Sequence, residues 1–268
     1  MFLPGGACLF VRREGSVAMT GALKLRVESL TRGVFFALLL TGSSCIDQQP
    51  VVYEKKSELF AIGSSLKDPR TLQVGYDELI DLTVGSVSKK AFTKYKNNVA
   101  AYVEARRSDA RGKVFEAKSA YDANRLYKKI RDGDRVLTTA AEGDPSHPAD
   151  NLLWRAGYII GRYQLKSTKN SDSIVKFISD PKYISKYANE IIITHPGTFL
   201  TVLSRLENKK LLGPLSVRWK RVDDAIEEGR LSNYIFPGHE VLSYDEAQKK
   251  ADEVIRRQFE KARLEYGP

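Results

Sequence analysis

Four polar side chains occupy three neighbouring segments that could bring them together. Gln164 and Lys166 stand two residues apart in the segment YIIGRYQLKS, so in a strand they would share one face. Asp150 opens the preceding apolar segment, and Glu116 lies in an amphipathic helical segment upstream. Two carboxylates and a carboxamide offer oxygen ligands that suit Mg²⁺, and a lysine adds a compact positive charge. Residues of these types suit metal-assisted attack on a phosphodiester.

The spacing of apolar residues predicts the elements that must position these four side chains. In chain order we expect a helix at 111–130 after a break at 108–112, a strand or short helical turn at 135–140, strands at 150–154 and 158–167, a helix at 173–187 divided at Pro181, and a buried strand at 190–194. Gly161 is expected to mark a bulge or to start a fresh strand.

Helical patterns also flank this series. One runs through SKKAFTKYKNNVAAYVEARR (88–107), and others cover 197–207 and 218–228. Ser243 and Glu246 form a capping-box pattern before a long terminal helix. Its predicted buried stripe consists of Ala247, Ala251, Val254, Ile255, Gln258, Phe259 and Ala262.

The constellation resembles the restriction-endonuclease-like, or PD-(D/E)xK, nuclease superfamily, in a toxin-like branch where Gln replaces the second acid. The resemblance covers residues 110–195, about a third of the chain. It depends on a Gly-x-x-Phe-Glu helix with a later Asn, a His-Pro-x-Asp segment and a Tyr-Gln-x-Lys strand. The matching residues are Gly112, Phe115, Glu116, Asn124, His147, Pro148, Asp150, Tyr163, Gln164 and Lys166.

The resemblance implies an α/β fold, a small mixed sheet flanked by helices, with extra N- and C-terminal helices. It implies a Mg²⁺ (or Mn²⁺) ion held mainly by Asp150, with Glu116 as a ligand directly or through water, and Gln164 offering a carbonyl oxygen. Lys166 would serve catalysis. Gln164 brings no charge, so metal binding is expected to be weaker. The expected partner is nucleic acid, first of all DNA, with RNA open. A toxin would also call for an immunity protein.

Each residue also has an ordinary interpretation. Glu116 could be a helix-surface acid, Asp150 a turn residue, and Gln164 and Lys166 exposed on an edge strand. Asp144 competes with Asp150 as the acid of the site. A second hypothesis for the whole chain is therefore a non-catalytic envelope lipoprotein or binding module with a degenerate nuclease fold.

Residues 19–45 have the layout of a secretory signal: positive residues, the apolar run 34–40, and small residues before Cys45. They resemble a bacterial lipoprotein signal, although Gly42 stands where Leu is usual. We expect an exported, periplasmic or membrane-anchored protein with a lipidated Cys45, or a cytoplasmic one if the leader is not a signal. Met19 is an alternative start. The predicted divisions are a leader at 1–45, a tether at 46–75, a helical lead-in at 76–109, the nuclease-like core at 110–195 and a helical extension at 196–268.

Composition narrows the possible classes. The chain of 268 residues carries a net charge of +10, which favours an anionic partner such as nucleic acid or a membrane surface. The cysteines are Cys8 and Cys45, so a disulfide framework or thiolate zinc site is excluded beyond residue 45. The three histidines follow no metal-ligand spacing, and we expect them in loops. Phosphate-binding glycine motifs, a G-x-S-x-G motif and an H-E-x-x-H motif are missing from the sequence.

Overall fold

A computed structural model describes residues 69–130, 133–156 and 158–267, which all belong to one compact unit. The predicted leader with Cys45, and the tether up to residue 68, lie outside the described residues. The helices in the described ranges are α1 (Arg70–Gln73), α2 (Tyr76–Val84), α3 (Lys89–Tyr95), α4 (Val99–Ile130), α5 (Ser171–Ser179), α6 (Pro181–Lys186), α7 (Pro196–Leu211), α8 (Val217–Glu227) and α9 (Tyr244–Tyr266). The strands are β1 (Arg135–Thr138), β2 (Asn151–Arg155), β3 (Tyr158–Lys166), β4 (Ile191–Thr194) and β5 (Leu231–Ser232).

The five strands form one mixed sheet in the order β1-β2-β3-β4-β5. β2 pairs antiparallel with both β1 and β3, whereas β3, β4 and β5 run parallel. Parallel neighbours need a crossover, which α5 and α6 supply between β3 and β4, and α7 and α8 between β4 and β5. The predicted α/β class, with a small mixed sheet flanked by helices, is confirmed.

Alternation along the strands sends successive side chains to opposite faces of the sheet. Tyr163 of β3 packs with Phe115 of α4 in an apolar layer on one face. Ile192 of β4 belongs to a second apolar cluster, formed with α5, α7 and α8 on the other face. Gln164 and Lys166 therefore point toward the α5 face, opposite to α4.

The bulge expected at Gly161 is present. Leu153 pairs with Gly161 and Trp154 pairs with Ile159, so β3 carries one extra residue, Ile160. A Cβ atom at position 161 would lie 3.2 Å from the Cβ of Leu153. The glycine therefore allows β2 and β3 to approach closely at this point.

Two predicted helix boundaries upstream of the sheet are wrong. Helix α4 continues through 108–112, because Ala110 and Val114 are fully buried in a cluster shared with α9. That packing outweighs the helix cost of Gly112, about 1 kcal/mol. Conversely, the pattern predicted as continuous over 88–107 is interrupted, because the Asn98 side chain accepts the Ala101 N–H at 3.0 Å and starts a new helix.

Helix α9 begins at the predicted capping box. The Ser243 side chain accepts the N–H of Glu246, and the Glu246 carboxylate accepts the N–H of Ser243. The buried stripe is the predicted one, and it packs with α2, α3 and α4 in one apolar cluster. In the part of the chain that the structure describes, no helix is both long enough and apolar enough to cross a membrane.

Candidate functional site

Asp150 lies directly before β2, where both its backbone and its side chain bind the sheet. Its N–H donates to the carbonyl of Tyr163 at 2.9 Å, and its own carbonyl accepts the N–H of Thr139 at 3.1 Å. Its carboxylate accepts the backbone N–H of Leu165 at 2.7 Å and an amide N–H of Gln164. Two donors of β3 thus hold this carboxylate in a fixed position beside the strand.

Gln164 and Lys166 lie on a central strand, so the edge-strand interpretation is wrong. Gln164 is 6% exposed, and its amide nitrogen is committed to Asp150. The Lys166 ammonium lies 4.9 Å from the ring centroid of Phe177 and 4.8 Å from that of Tyr187. Aromatic faces attract such a cation, so the two rings fix the end of the lysine side chain.

Glu116 is buried, so its interpretation as a helix-surface acid is wrong. Burial and then the nearby charge of Asp150 raise the pKa of Glu116 to about 8. Lys113, with its ammonium 3.0 Å from the carboxylate, offsets only part of this rise. The backbone carbonyl of Glu116 accepts the side-chain N–H of Asn151 at 3.1 Å. That bond ties α4 to the residue next to Asp150.

Burial also raises the pKa of Asp150. The Leu165 N–H and the charges of Lys166 and Lys113 oppose this rise. Because Glu116 and Asp150 disfavour each other's charge, the pair retains a proton more readily than two separate carboxyls would. The site is therefore a buried acidic pair, with Lys113 paired to Glu116 and the charge of Lys166 acting on Asp150.

A third acid, Glu190, which the sequence motifs did not predict for the site, belongs to the same electrostatic cluster. It is 5% exposed directly before β4, and its Oε2 atom has no hydrogen-bond partner among the described residues. Burial and then the charge of Asp150 raise the pKa of Glu190 to about 7, while Lys166 opposes the rise. The feature of the sequence that could have indicated Glu190 is its position as a single acid at the start of the predicted apolar strand 190–194. The sequence motifs did not predict Lys113 for the site either. A lysine three residues before a glutamate is common on exposed helix surfaces, where the two residues form an ordinary ion pair.

The chemistry of the donors fits a hard divalent cation. Glu116 and Asp150 offer carboxylate oxygens, and Gln164 offers a carbonyl oxygen. Burial is the main cause that raises the pKa of both acids, so a cation that displaced their protons would stabilise the charged forms. Mg²⁺ takes such ligands and retains several waters, so one or two carboxylates suffice. Within the described ranges, however, no three side chains of His, Cys, Asp or Glu form a group that could hold a metal ion. Any Mg²⁺ site here would therefore depend on Gln164 and water for its remaining ligands.

Other residues of the predicted motifs have structural contacts. Phe115 and Tyr163 are buried in the apolar layer between α4 and the sheet. Asn124 donates to the carbonyl of Val136 at 2.8 Å and accepts its N–H at 2.7 Å. This double hydrogen bond fastens α4 to β1 and so supports the helix that carries Glu116.

Asp144, the competing acid, lies in the loop before β2. Its carboxylate accepts the backbone N–H of Ser146 at 3.2 Å and the hydroxyl at 2.9 Å. In the same loop His147 accepts the N–H of Ala149 at 3.0 Å. Both side chains therefore stabilise the loop, whereas Asp150 contacts Gln164.

His195, expected as an ordinary loop residue, is 1% exposed and joins three parts of the fold. Because a carbonyl only accepts, Nδ1 must donate to Leu242 at 2.6 Å, which leaves Nε2 to accept the hydroxyl of Ser167 at 2.8 Å. Arg111 also donates to that hydroxyl, at 3.2 Å. Burial lowers the pKa of His195 to about 4, so the ring is neutral at pH 7. These partners are distant in sequence, and local pattern carries no signal for them.

Comparisons with protein-family models, with curated proteins and with solved structures find no match for this chain. The interpretation of the site therefore depends on its own residues and their geometry.

Proposed function

We propose that this protein is a metal-dependent nuclease that hydrolyses phosphodiester bonds in nucleic acid, with DNA as the substrate. The observation that carries the proposal is the position of the Asp150 carboxylate. Gln164 and Leu165 donate hydrogen bonds to it, and it interacts electrostatically with Glu116 and with Lys166. Glu116, Gln164 and Lys166 each interact with Asp150 in the folded chain.

The order of elements supports the same proposal. Helix α4 carries Glu116, Asp150 precedes β2, and β3 carries Gln164 and Lys166, followed by α5 and the parallel strand β4. The resemblance to restriction-endonuclease-like proteins implies this order of helix, strands, helix and strand. Within the α/β class we therefore propose a specific fold, a PD-(D/E)xK core of the QxK type.

The residues divide the chemical work among them. Asp150, Glu116 and Gln164 would hold Mg²⁺ or Mn²⁺, which when bound polarises the phosphoryl oxygen and lowers the pKa of the attacking water. The ammonium of Lys166 would offset the negative charge that develops on the phosphate. Lys113 already compensates Glu116, so it would have to turn outward when a cation enters.

One observation favours the second candidate, a non-catalytic binding module with a degenerate nuclease fold. Glu116 is paired with Lys113 and Asp150 with Gln164, so the acids already have partners within the protein. A site that has lost its metal would retain internal pairs of this kind. The two candidates differ in whether a divalent ion displaces these pairs.

A plasmid-nicking assay of the full chain with Mg²⁺ or Mn²⁺ separates them. We expect metal-dependent nicking that falls by about 10²- to 10³-fold in Lys166→Ala and is lost in Asp150→Ala. Lys166→Arg, which keeps a cation in place, should fall less. Asp144→Ala is the matched control, because it removes a neighbouring acid outside the cluster. No nicking by a folded protein with either metal would favour the binding module.

Export, anchoring through a lipidated Cys45 and an immunity protein as partner are part of the same proposal. Cys45 lies outside the described residues, and the structure therefore does not bear on its lipidation. The mass of the mature protein measures both cleavage before Cys45 and lipidation of its side chain. Loss of residues 1–44 with added acyl chains would support an anchored toxin or lipoprotein. An intact N-terminus would favour a cytoplasmic nuclease.

A further inference from the structure

Helix α6 and the residue that follows it carry two parallel aromatic rings at the surface. Tyr183 of α6 and Tyr187, the C-cap of α6, are partly exposed, with ring planes 3° apart and centroids 6.4 Å apart. Phe177 of α5 contacts both rings edge-on, at centroid distances of 4.8 and 6.1 Å. The orientation of the two tyrosine rings is therefore fixed by packing before any ligand arrives.

Exposed lysines surround these rings. The ammonium groups of Lys176 and Lys182 lie 5.8 and 5.9 Å from the ring centroid of Tyr183, and that of Lys186 lies 5.1 Å from that of Tyr187. We call Tyr183, Tyr187 and these three lysines the tyrosine platform. It combines flat aromatic faces with a net positive charge, which suits a partner made of flat rings and anionic groups.

The tyrosine platform is continuous with the proposed catalytic residues. Lys166 lies 4.8 Å from the ring of Tyr187. Tyr187 also shares the lining of a surface hollow with Glu190 and Arg230. The carboxyl of Glu190 in turn interacts electrostatically with Asp150 and Lys166. A chain molecule lying on the tyrosine platform would therefore lead directly to the acidic cluster.

We propose that the tyrosine platform binds single-stranded nucleic acid and delivers it to Lys166. Bases would stack on Tyr183 and Tyr187, while the three lysines would turn to the phosphates. A duplex has no free base faces to stack in this way, whereas an unpaired strand exposes one at each nucleotide. This inference rests on the proposed nuclease function and deepens it by naming an unpaired strand, or an unpaired stretch within a duplex, as the substrate.

The same combination of tyrosine and lysine occurs where proteins touch anionic membranes, but the surroundings favour nucleic acid. Membrane-surface helices insert large apolar side chains. The large apolar side chains that are exposed among the described residues all lie outside α5 and α6. The tyrosine platform is also continuous with Lys166 and Asp150. Those residues could act on a phosphodiester chain, whereas they would serve no purpose at a lipid surface.

The test is binding by fluorescence anisotropy, with the full chain and EDTA present so that cleavage plays no part. The probes are a labelled 20-nucleotide DNA strand, the matching RNA strand and the matching DNA duplex, with phosphatidylglycerol vesicles in a separate arm. We expect either single strand to bind more tightly than the duplex. The double variant Tyr183→Leu/Tyr187→Leu should lose roughly tenfold or more in single-strand affinity. The double variant to Phe should stay close to the parent, because it keeps the stacking faces.

Tyr158→Leu is the matched control, since Tyr158 is an exposed tyrosine of β3 outside the tyrosine platform. The proposal is overturned if the leucine double variant, shown to be folded by circular dichroism, binds single strands as tightly as the parent. A preference for duplex, or binding to vesicles without binding to single strands, also overturns it. Asp150→Ala separates the two proposals. Single-strand binding that survives in this variant when cleavage is lost supports both. Tyrosine-dependent binding by a parent chain that cuts neither the plasmid nor the single strands with Mg²⁺ or Mn²⁺ sinks the nuclease and leaves the binding of single strands standing.

Discussion

A hydrogen bond of 2.7 Å joins the backbone N–H of Leu165 to the carboxylate of Asp150. The donor is a backbone group that does not titrate, and it favours the charged form of the acid against the effect of burial. The backbone of β3 therefore helps to position Asp150 independently of the side chains around it. For this reason neighbouring side chains can be changed while the central carboxylate stays in place.

Gln164→Glu should strengthen binding of Mg²⁺ while destabilising the protein without metal. The substitution adds an acid next to Asp150 in a buried position, where like charges repel, and a divalent ion relieves that repulsion. Isothermal titration calorimetry at pH 8.5 and urea unfolding in EDTA measure the two effects. Unchanged Mg²⁺ affinity in a folded variant would remove Gln164 from the proposed ligand set.

Binding of Mg²⁺ or Mn²⁺ should become tighter as pH rises and should release protons. The pKa of Glu116 is raised to about 8, so at pH 6.5 a cation must displace the proton of this carboxyl. The raised pKa of Asp150 acts in the same direction. For one displaced proton the affinity grows by up to about tenfold per pH unit below the higher pKa. Calorimetry in two buffers of different ionisation enthalpy counts the protons.

The matched variant for this measurement is Glu116→Gln, which removes one of the titrating groups and should flatten the pH dependence. A dependence on pH that is the same with and without Glu116 would show that the linked proton lies elsewhere.

Local signals explain which parts of the fold could be predicted from sequence. The capping box at Ser243, the division of the helical segment at Pro181 and the bulge beside Gly161 were predictable, because each is decided by residues close together in the chain. The helix break predicted at 108–112 is absent. The burial of Ala110 against α9 stabilises the continuous helix and outweighs the weak local preference for a break. Propensity is a prior that tertiary packing overrides.

The candidate site was partly predictable for the same reason. Asp150 and Gln164 come from two neighbouring strands of one hairpin, so a short-range pattern places them near each other. Glu190 and His195 depend on how β4 pairs with β3 and how α9 returns to the sheet. Those contacts join residues that are distant in the chain, and a single sequence contains no local pattern that predicts them.

Glu116→Gln should stabilise the protein, and more so at alkaline pH. Glu116 has an ordinary pKa of 4.5 and a folded-state pKa of about 8, so between these values the folded state binds more protons than the unfolded state. The free energy of unfolding therefore falls as pH rises through this window, by on the order of 3 kcal/mol at pH 7. Urea unfolding in EDTA at pH 5 and pH 8 measures the difference.

Glu260→Gln is the control for this prediction. Glu260 pairs with Arg263 on the exposed face of α9, and its removal should change stability by less than about 0.5 kcal/mol. If Glu116→Gln is less stable than the parent at pH 8, the ion pair with Lys113 outweighs the cost of burying the charge.

Acidification should destabilise the protein through His195. Its pKa is about 4 in the folded state against an ordinary 6.5, so between these values the unfolded state binds the extra proton and stability is lost as pH falls. The full effect is on the order of 3 kcal/mol and is complete below the folded pKa. His195→Gln should be less stable than the parent at pH 7, because it disturbs the bonds to Leu242 and Ser167, yet it should show a smaller decline between pH 6.5 and 4.5. His239→Gln, at an exposed loop histidine, should leave the decline unchanged, and equal slopes for all three proteins in urea unfolding would exclude His195 as the titrating group.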